Sequence, residues 1–219
     1  MHWEERKYRF KPPLLPLLLL LSLSLLGCTS PIPPLGEDDL YEGQQNIFPM
    51  KQGNIWVYSS VENPDAIHTY FMESIQSTRE GTIGSMLVYR GDESIRLTTR
   101  WLSDRLLFSS VEIESEENSL LLLHLPLRPG RHWVKINSSL NETINVIECQ
   151  VISTDTIITV PAGTFNAVLV REVQHMYYPN SGEVYDTAYT AYAKDVGMIS
   201  LEALGVPMVL ESFTPGVGD

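Results

Sequence analysis

Cysteine is close to absent from this chain: among 219 residues only Cys28 and Cys149 carry a thiol. A scaffold stapled by several disulfides is therefore excluded. Basic residues are scarce as well, 15 Lys and Arg against 27 Asp and Glu, for a formal net charge of −12. Nucleic acid and direct docking on anionic lipid both require basic patches, so no nucleic-acid partner is expected. His68, His124, His132 and His175 stand apart from one another, without an H-E-x-x-H, an H-x-H pair or a Cys/His cluster. No metal site is expected from that pattern, and isolated strand histidines read as surface or satisfied core residues. A G-x-S-x-G elbow and a P-loop are missing too, so neither a catalytic residue nor a cofactor is assigned. Long amphipathic helices are also lacking; only residues 74–80 could turn once or twice.

What is present begins with a segment of uneven composition. Arg6, Lys7, Arg9 and Lys11 outweigh Glu4 and Glu5, and an apolar run over residues 14–26 follows, broken by Pro16, Ser22 and Ser24. As a helix that run would reach about 20 Å, short of the roughly 30 Å of a hydrocarbon core. It therefore reads as a secretory leader over residues 1–27 and not as a membrane span. An A-x-A-like cleavage site is missing; instead Gly27 stands directly before Cys28. The run Leu25-Leu26-Gly27-Cys28 resembles the lipobox of bacterial lipoproteins. The resemblance implies cleavage between Gly27 and Cys28 and acylation at Cys28 with chains such as palmitate, so that the membrane is held through the N-terminal lipid. Several acyl chains, at about 0.8 kcal/mol per buried methylene, anchor a protein essentially permanently. By analogy with enterobacterial sorting, Thr29 in place of an aspartate implies the outer membrane of the cell envelope, facing the periplasm or the cell surface.

Loss of the leader's four basic and two acidic residues takes the formal charge from −12 to −14. An acidic body suits a tether that holds it off a negatively charged membrane. Residues 28–46 supply that tether, with Pro31, Pro33, Pro34 and the cluster Glu37-Asp38-Asp39. Proline and self-repelling charge favour extended chain, which at about 3.3 Å per residue spans some 60 Å at most. The acidic cluster lacks the spacing of a calcium loop. With Cys28 acylated, Cys149 stands alone; it shares strand parity with Ile147 and Val151, which predicts a buried, inert thiol.

Residues 47–219 read as one antiparallel β domain. Ile95, Leu97, Thr99 and Trp101 alternate with Arg96, Thr98 and Arg100; Leu107, Val111 and Ile113 alternate with Glu112 and Glu114. Period-two alternation marks strands with one wet face. The spacer Ser103-Asp104-Arg105 would join them as a hairpin with Arg96 opposite Glu112. Further strands are predicted over 54–60, 66–76, 82–90, 119–125, 132–137, 143–153, 156–160, 165–178, 183–194, 197–203 and 207–213. Turns rich in Gly, Pro, Asn and Asp separate them. The continuous run Leu120 to Leu123 suggests a strand covered on both faces.

One motif is repeated. Pro49-Met50-Lys51-Gln52-Gly53-Asn54-Ile55-Trp56-Val57 recurs as Pro126-Leu127-Arg128-Pro129-Gly130-Arg131-His132-Trp133-Val134. Each copy reads as a glycine turn that delivers a tryptophan to the core, with ligand stacking by the two rings as the alternative. Together with Val160-Pro161-Ala162-Gly163-Thr164-Phe165 and Tyr192-Ala193-Lys194-Asp195-Val196-Gly197-Met198-Ile199, these residues resemble a recurrent domain of uncharacterised bacterial lipoproteins. The resemblance implies a strongly curved antiparallel sheet, a half-barrel like those of lipoprotein carriers, with a two-sheet β-sandwich as the alternative.

Two clusters remain as candidate sites. Glu112, Glu114, Glu116 and Glu117 lack the separated environments that acid/base catalysis needs and read as a solvated edge. Tyr177, Tyr178, Tyr185, Tyr189 and Tyr192 could form a recognition surface or pack across strands. The expectation is a non-enzymatic envelope module that binds a protein, peptide or glycan partner or serves envelope assembly. The alternatives are a carrier or chaperone for a lipid or hydrophobic peptide, and a hydrolase with a dispersed active site.

Overall fold

The structure, a computed structural model of the chain, describes residues 44–110, 119–140, 143–203 and 205–216. All of them belong to the compact unit Leu35–Asp219. The leader, the proposed lipidation site at Gly27 and Cys28, and Glu112 to Glu117 lie outside the described residues. Among the described residues, twelve strands form one sheet: β1 (Ile55–Ser60), β2 (Ile67–Ser77), β3 (Thr82–Arg90), β4 (Glu93–Trp101), β5 (Arg105–Ser110), β6 (Leu120–His124), β7 (His132–Leu140), β8 (Thr143–Val160), β9 (Gly163–Tyr178), β10 (Gly182–Ala193), β11 (Gly197–Ala203) and β12 (Val206–Thr214). The only helical turn described is the 3-10 turn Gln44–Ile47.

The sheet order is β6-β5-β4-β3-β2-β1-β12-β11-β10-β9-β8-β7, with neighbours antiparallel. Two six-stranded meanders therefore meet at β1 and β12, where a full ladder runs from Ile55 opposite Thr214 to Ser60 opposite Met208. The free edges β6 and β7 come close on the far side. There the Trp133 indole N–H donates to the Leu121 carbonyl at 2.9 Å. The sheet is thus a nearly closed barrel. Its curvature goes beyond a half-barrel, and the sandwich alternative is not adopted, because a single sheet supplies both walls.

Most predicted strands are present, with three differences. Residues 143–153 and 156–160 form one long strand, β8, which absorbs register shifts after Val151 and Ser153. Residues 74–80 make no helical turn; β2 continues through Ser77. The β4–β5 turn is one residue tighter than the predicted spacer: Trp101 faces Leu106 and Leu97 faces Ser110. Glu112, the predicted partner of Arg96, lies outside the described residues, and Arg96 pairs with Glu73 at 3.0 Å across β3.

One end of the barrel is closed by residues 44–50, which pack on the strand starts that follow the Gly53 and Gly197 turns. Phe48 stacks on Trp56 with ring centroids 5.5 Å apart and meets Phe108 edge-on. The Trp56 indole donates to the Val196 carbonyl at 2.5 Å, and the Trp101 indole donates to the Phe48 carbonyl at 3.0 Å. Gly84, without a side chain, leaves room for Met50 and Met72, which a Cβ would approach at 2.8 Å. Above this layer Tyr58, Met72, Met86, Leu106, Leu123 and Leu210 are all fully buried. Burial of such side chains is the dominant stabilising term, about 1.5–3 kcal/mol each.

The repeated turns coincide in backbone detail. Gly53 and Gly130 share φ 84°. The Gly53 N–H donates to Met72 O and that of Gly130 to Val151 O, each at 2.8 Å. Each turn thus docks its strand on the next one, β1 on β2 and β7 on β8. Trp56 and Trp133 are 1% and 6% exposed, so both anchor the core and neither offers a ring to a ligand. Gly197 is more constrained: at φ 103° its Cβ position lies 3.3 Å from both Phe48 and the Trp56 indole nitrogen. Gly130→Ala, facing open space, is expected to cost about 1 kcal/mol for its left-handed backbone. Gly197→Ala is expected to cost about 2–3 kcal/mol, since strain and contact add. Urea unfolding midpoints of the two variants check this order, and equal losses would contradict it.

Candidate functional site

At the opposite, open end the interior is not filled. A cavity of about 320 Å³ lies among Leu120, Lys135, Ile136, Ile147, Glu172, Gln174, Asp186, Ala188, Glu202 and Gly205. Leu120, Lys135 and Glu202 also border a deeper space of about 160 Å³, walled by Leu97, Phe108, Leu122, Tyr192, Met198 and Leu201. A wider hollow of about 410 Å³ follows consecutive residues of β2 and β3 at the rim, from Asp65 to Thr69 and from Tyr89 to Gly91. It gathers fewer charged groups than the interior cavity, where functional side chains from several strands converge.

The geometry of the cavity follows from strand register. Ile147, Gln174 and Asp186 face one another across β8, β9 and β10, and Cys149, Glu172 and Ala188 form the next row inward. On β7 the register shifts between Val134 and Ile136, which turns Lys135 inward beside Ile136. Lys135 Nζ then meets Glu172 Oε2 at 2.5 Å, and Thr190 Oγ1 donates to Glu172 Oε1 at 2.7 Å. Both carboxylate oxygens are thus occupied, as a group only 8% exposed requires. Asp186 and Glu202 differ: among the described residues neither forms an ion pair. Burial, followed by the neighbouring Asp186 and Glu172 charges, holds the Glu202 carboxyl above its ordinary range.

Beneath this layer the groups are chemically quiet. Burial, with the Glu172 charge second, pushes the Cys149 thiol up to about 12. A thiol so protonated at neutral pH is a poor nucleophile, in keeping with the buried, inert residue predicted. Tyr192, 1% exposed, has a hydroxyl raised well above its ordinary value by burial first and Glu172 second.

The five tyrosines do not form one surface. Cross-strand pairing places Tyr177, Tyr185 and Tyr189 on the outer face and Tyr178 and Tyr192 on the inner one. On the outer face Tyr185 stacks on His175 with centroids 4.4 Å apart. Glu183 bonds the Tyr185 hydroxyl at 3.1 Å and lies 3.6 Å from His175. Cross-strand packing accounts for these contacts, while Tyr185 and Tyr189 remain more than half exposed. His68 lies beside Arg90, and burial lowers its pKa first, the Arg90 charge second. His124 lies 3.4 Å from Asp104 at the closed end. Among the described residues no three His, Cys, Asp or Glu side chains are grouped to hold a metal.

Sequence reading missed Lys135, Glu172, Asp186 and Glu202. One signal was available: Glu172 continues the inward parity of Val168 and Val170, so a carboxylate falls where alternation calls for an apolar residue. The bulge at Lys135 leaves no comparable mark.

No protein-family model matches the sequence, and no curated protein matches it. Solved structures of similar fold include a "putative lipoprotein" from Parabacteroides distasonis, at TM-score 0.53 and 15% identity, covering 77% of this chain and 98% of that one. Another is a "putative exported protein with YmcC-like fold" from Bacteroides fragilis, at TM-score 0.52 and 13% identity, with 77% and 98% covered. At such identities the likeness is one of fold, and this chain shares that fold over nearly the whole length of each neighbour.

Two measurements test the cavity's electrostatics. Glu172→Gln leaves Lys135 without its partner and is expected to lower stability by about 3 kcal/mol, most of which Lys135→Met in the same chain recovers. Urea unfolding of the single and double variants decides it; a double variant no better than the single refutes the pairing. Glu202, with its carboxyl raised on folding, binds its proton more tightly in the folded chain. Stability therefore falls as pH climbs from the ordinary glutamate range through the raised value. Glu202→Gln is expected to match the parent near about pH 3 and to exceed it increasingly towards about pH 7. A constant difference in urea midpoint across that range would contradict the assignment.

Proposed function

We propose that this chain is a lipid-anchored protein of the bacterial cell envelope, held at the outer membrane through Cys28, whose barrel is a non-enzymatic binding module. It receives a group of an envelope protein, peptide or glycan partner at the open end. The observation that carries this reading is the uneven filling of the interior. Trp56, Tyr58, Met72, Met86 and Leu123 occupy the closed end, and the remaining cavity of about 320 Å³ suits a side chain or small head group. The resemblance of Leu25-Leu26-Gly27-Cys28 to a lipobox supports the anchor, and the names of the fold's neighbours agree with an exported, lipoprotein-like protein. A second reading, a carrier for lipid or hydrophobic peptide, draws on the apolar walls of the deeper space. That space is small, however, and a long acyl chain needs a lumen that the core side chains fill.

Metabolic labelling with palmitate in cells is expected to mark the full chain at the membrane, and Cys28→Ala is expected to abolish both label and membrane retention. A photo-crosslinker at Ala188 in the native envelope is expected to capture a partner that the same probe at Arg131, by the closed end, does not. Equal capture from both positions would refute the open-end site, and lipid recovered with the purified barrel would decide for the carrier.

A further inference from the structure

The rim hollow along β2 and β3 holds two basic side chains without a counter-charge. His68 lies opposite Arg90 across the β2–β3 ladder and opposite Tyr58 across the β1–β2 ladder. His68 shares strand parity with the buried Tyr70 and Met72, and Arg90 with the buried Met86 and Val88. Both therefore point to the inner face at the mouth of the barrel. Both border the hollow of about 410 Å³, and Arg90 also borders the deeper space. His68 Nδ1 and Arg90 Nε are buried atoms without a hydrogen-bond partner. Arg131 and Arg171 also leave Nε unpartnered, but among the described residues only Arg90 faces a second such nitrogen across its ladder. The Arg90 guanidinium is held against the Tyr70 hydroxyl, whose pKa burial raises, so no negative charge meets it there at neutral pH. Asp65 at the hollow and Glu93 opposite Arg90 are both exposed, and among the described residues neither forms an ion pair with Arg90 or His68. Acidic residues outnumber basic ones by 27 to 15 in this chain, yet none is spent on this inward arginine. Buried donors are as a rule satisfied, so the pair calls for an acceptor from outside the chain.

We propose that His68 and Arg90 form a carboxylate-binding subsite at the barrel mouth, distinct from the cavity lined by Lys135 and Glu172. The carboxylate lies between Arg90 Nε–H and His68 Nδ1–H, with the imidazole in the tautomer that donates from Nδ1. Burial first, and the Arg90 charge second, lower the His68 pKa, so at neutral pH the pair carries one full positive charge. One charge matches a monoanion, whereas a phosphate dianion would keep uncompensated charge in a partly dehydrated site. A cation would meet the guanidinium charge, and a neutral group would leave it without a counter-ion. Tyr89 and Ile67, 41% and 40% exposed, flank the hollow and offer apolar surface to the body that bears the carboxylate. Two sources present that chemistry: the acidic side chain or chain end of a peptide, and a uronic sugar of a glycan. The net charge of −12 repels anions at long range. Beyond about 8 Å at physiological salt that field is screened, so the contact groups decide.

Isothermal titration of the full-length protein in neutral detergent at physiological salt tests this with matched probes: capped glutamate against capped glutamine, glucuronic acid against glucose, and inorganic phosphate. At least one carboxylate is expected to bind about tenfold more tightly than its neutral counterpart and than phosphate, the worth of one charge-assisted hydrogen bond. Arg90→Lys, which keeps the charge and loses the fork, and His68→Phe are each expected to weaken carboxylate binding about tenfold. Preference for capped glutamate identifies a peptide as the source, and preference for glucuronic acid identifies an acidic sugar. Phosphate binding as tightly as the carboxylates, or more tightly, overturns the inference. Equal binding of each carboxylate and its neutral counterpart overturns it likewise, and so does the absence of carboxylate binding. Unchanged carboxylate affinity in both variants has the same force. The probe series uses the parent protein, so it remains decisive if a variant fails to fold; the crosslinking comparison of Ala188 and Arg131 decides the other cavity separately.

Discussion

Phe48 lying on Trp56 is the contact on which the barrel's closed end depends. A closed sheet of about eight strands is just narrow enough for its own side chains to fill, and wider barrels leave a lumen. Twelve strands exceed that limit, so this chain brings in material from outside the sheet. Residues 44–50 enter the barrel, Phe48 fills the centre, and Trp56 is fixed by its bond to the Val196 carbonyl. Trp101 in turn holds the Phe48 backbone. The plug reaches only part of the way, and the cavity at the other end is what remains of the lumen.

This division explains what could be read from the sequence. The Gly53 and Gly130 turns, the Val160-Pro161-Ala162-Gly163 turn and the Asp195-Val196-Gly197 turn all lie at the closed end. Each is a local structure with local chemistry: a glycine at positive φ, a proline with fixed φ, an aromatic residue at the start of a strand. The all-β class and most strand positions were legible for the same reason. Lengths and registers were less so, because the bulges after Val151 and Ser153 that let residues 143–160 run on as β8, and the exact length of the β4–β5 turn, are set by how each strand pairs with its neighbour and leave no residue signature. Tyr177 and Tyr178 show a plainer constraint. Adjacent strand residues point to opposite faces, so those two could never have shared one surface.

The cavity had no motif because no short segment makes it. Lys135, Glu172, Asp186 and Glu202 come from four strands, and only the order β7-β8-β9-β10-β11 brings them together. Their arrangement has a definite hierarchy. The most buried carboxylate, Glu172, is saturated by Lys135 and Thr190, as desolvation demands. The more exposed carboxylates are left unpaired. Just beneath, Cys149 is kept protonated by burial and by the Glu172 charge, which withholds the thiolate that disulfide exchange requires.

The meander order carries a consequence for the connectivity of the fold. Sequential strands pair everywhere except between β6 and β7, while β12 pairs with β1. The ladder is therefore indifferent to where the chain is cut. A circular permutant opened in the β6–β7 loop and joined from β12 to β1 would keep every hydrogen-bonded strand pair. It would move the point at which the N-terminal segment joins the barrel from the β1 side to the seam crossed by Trp133.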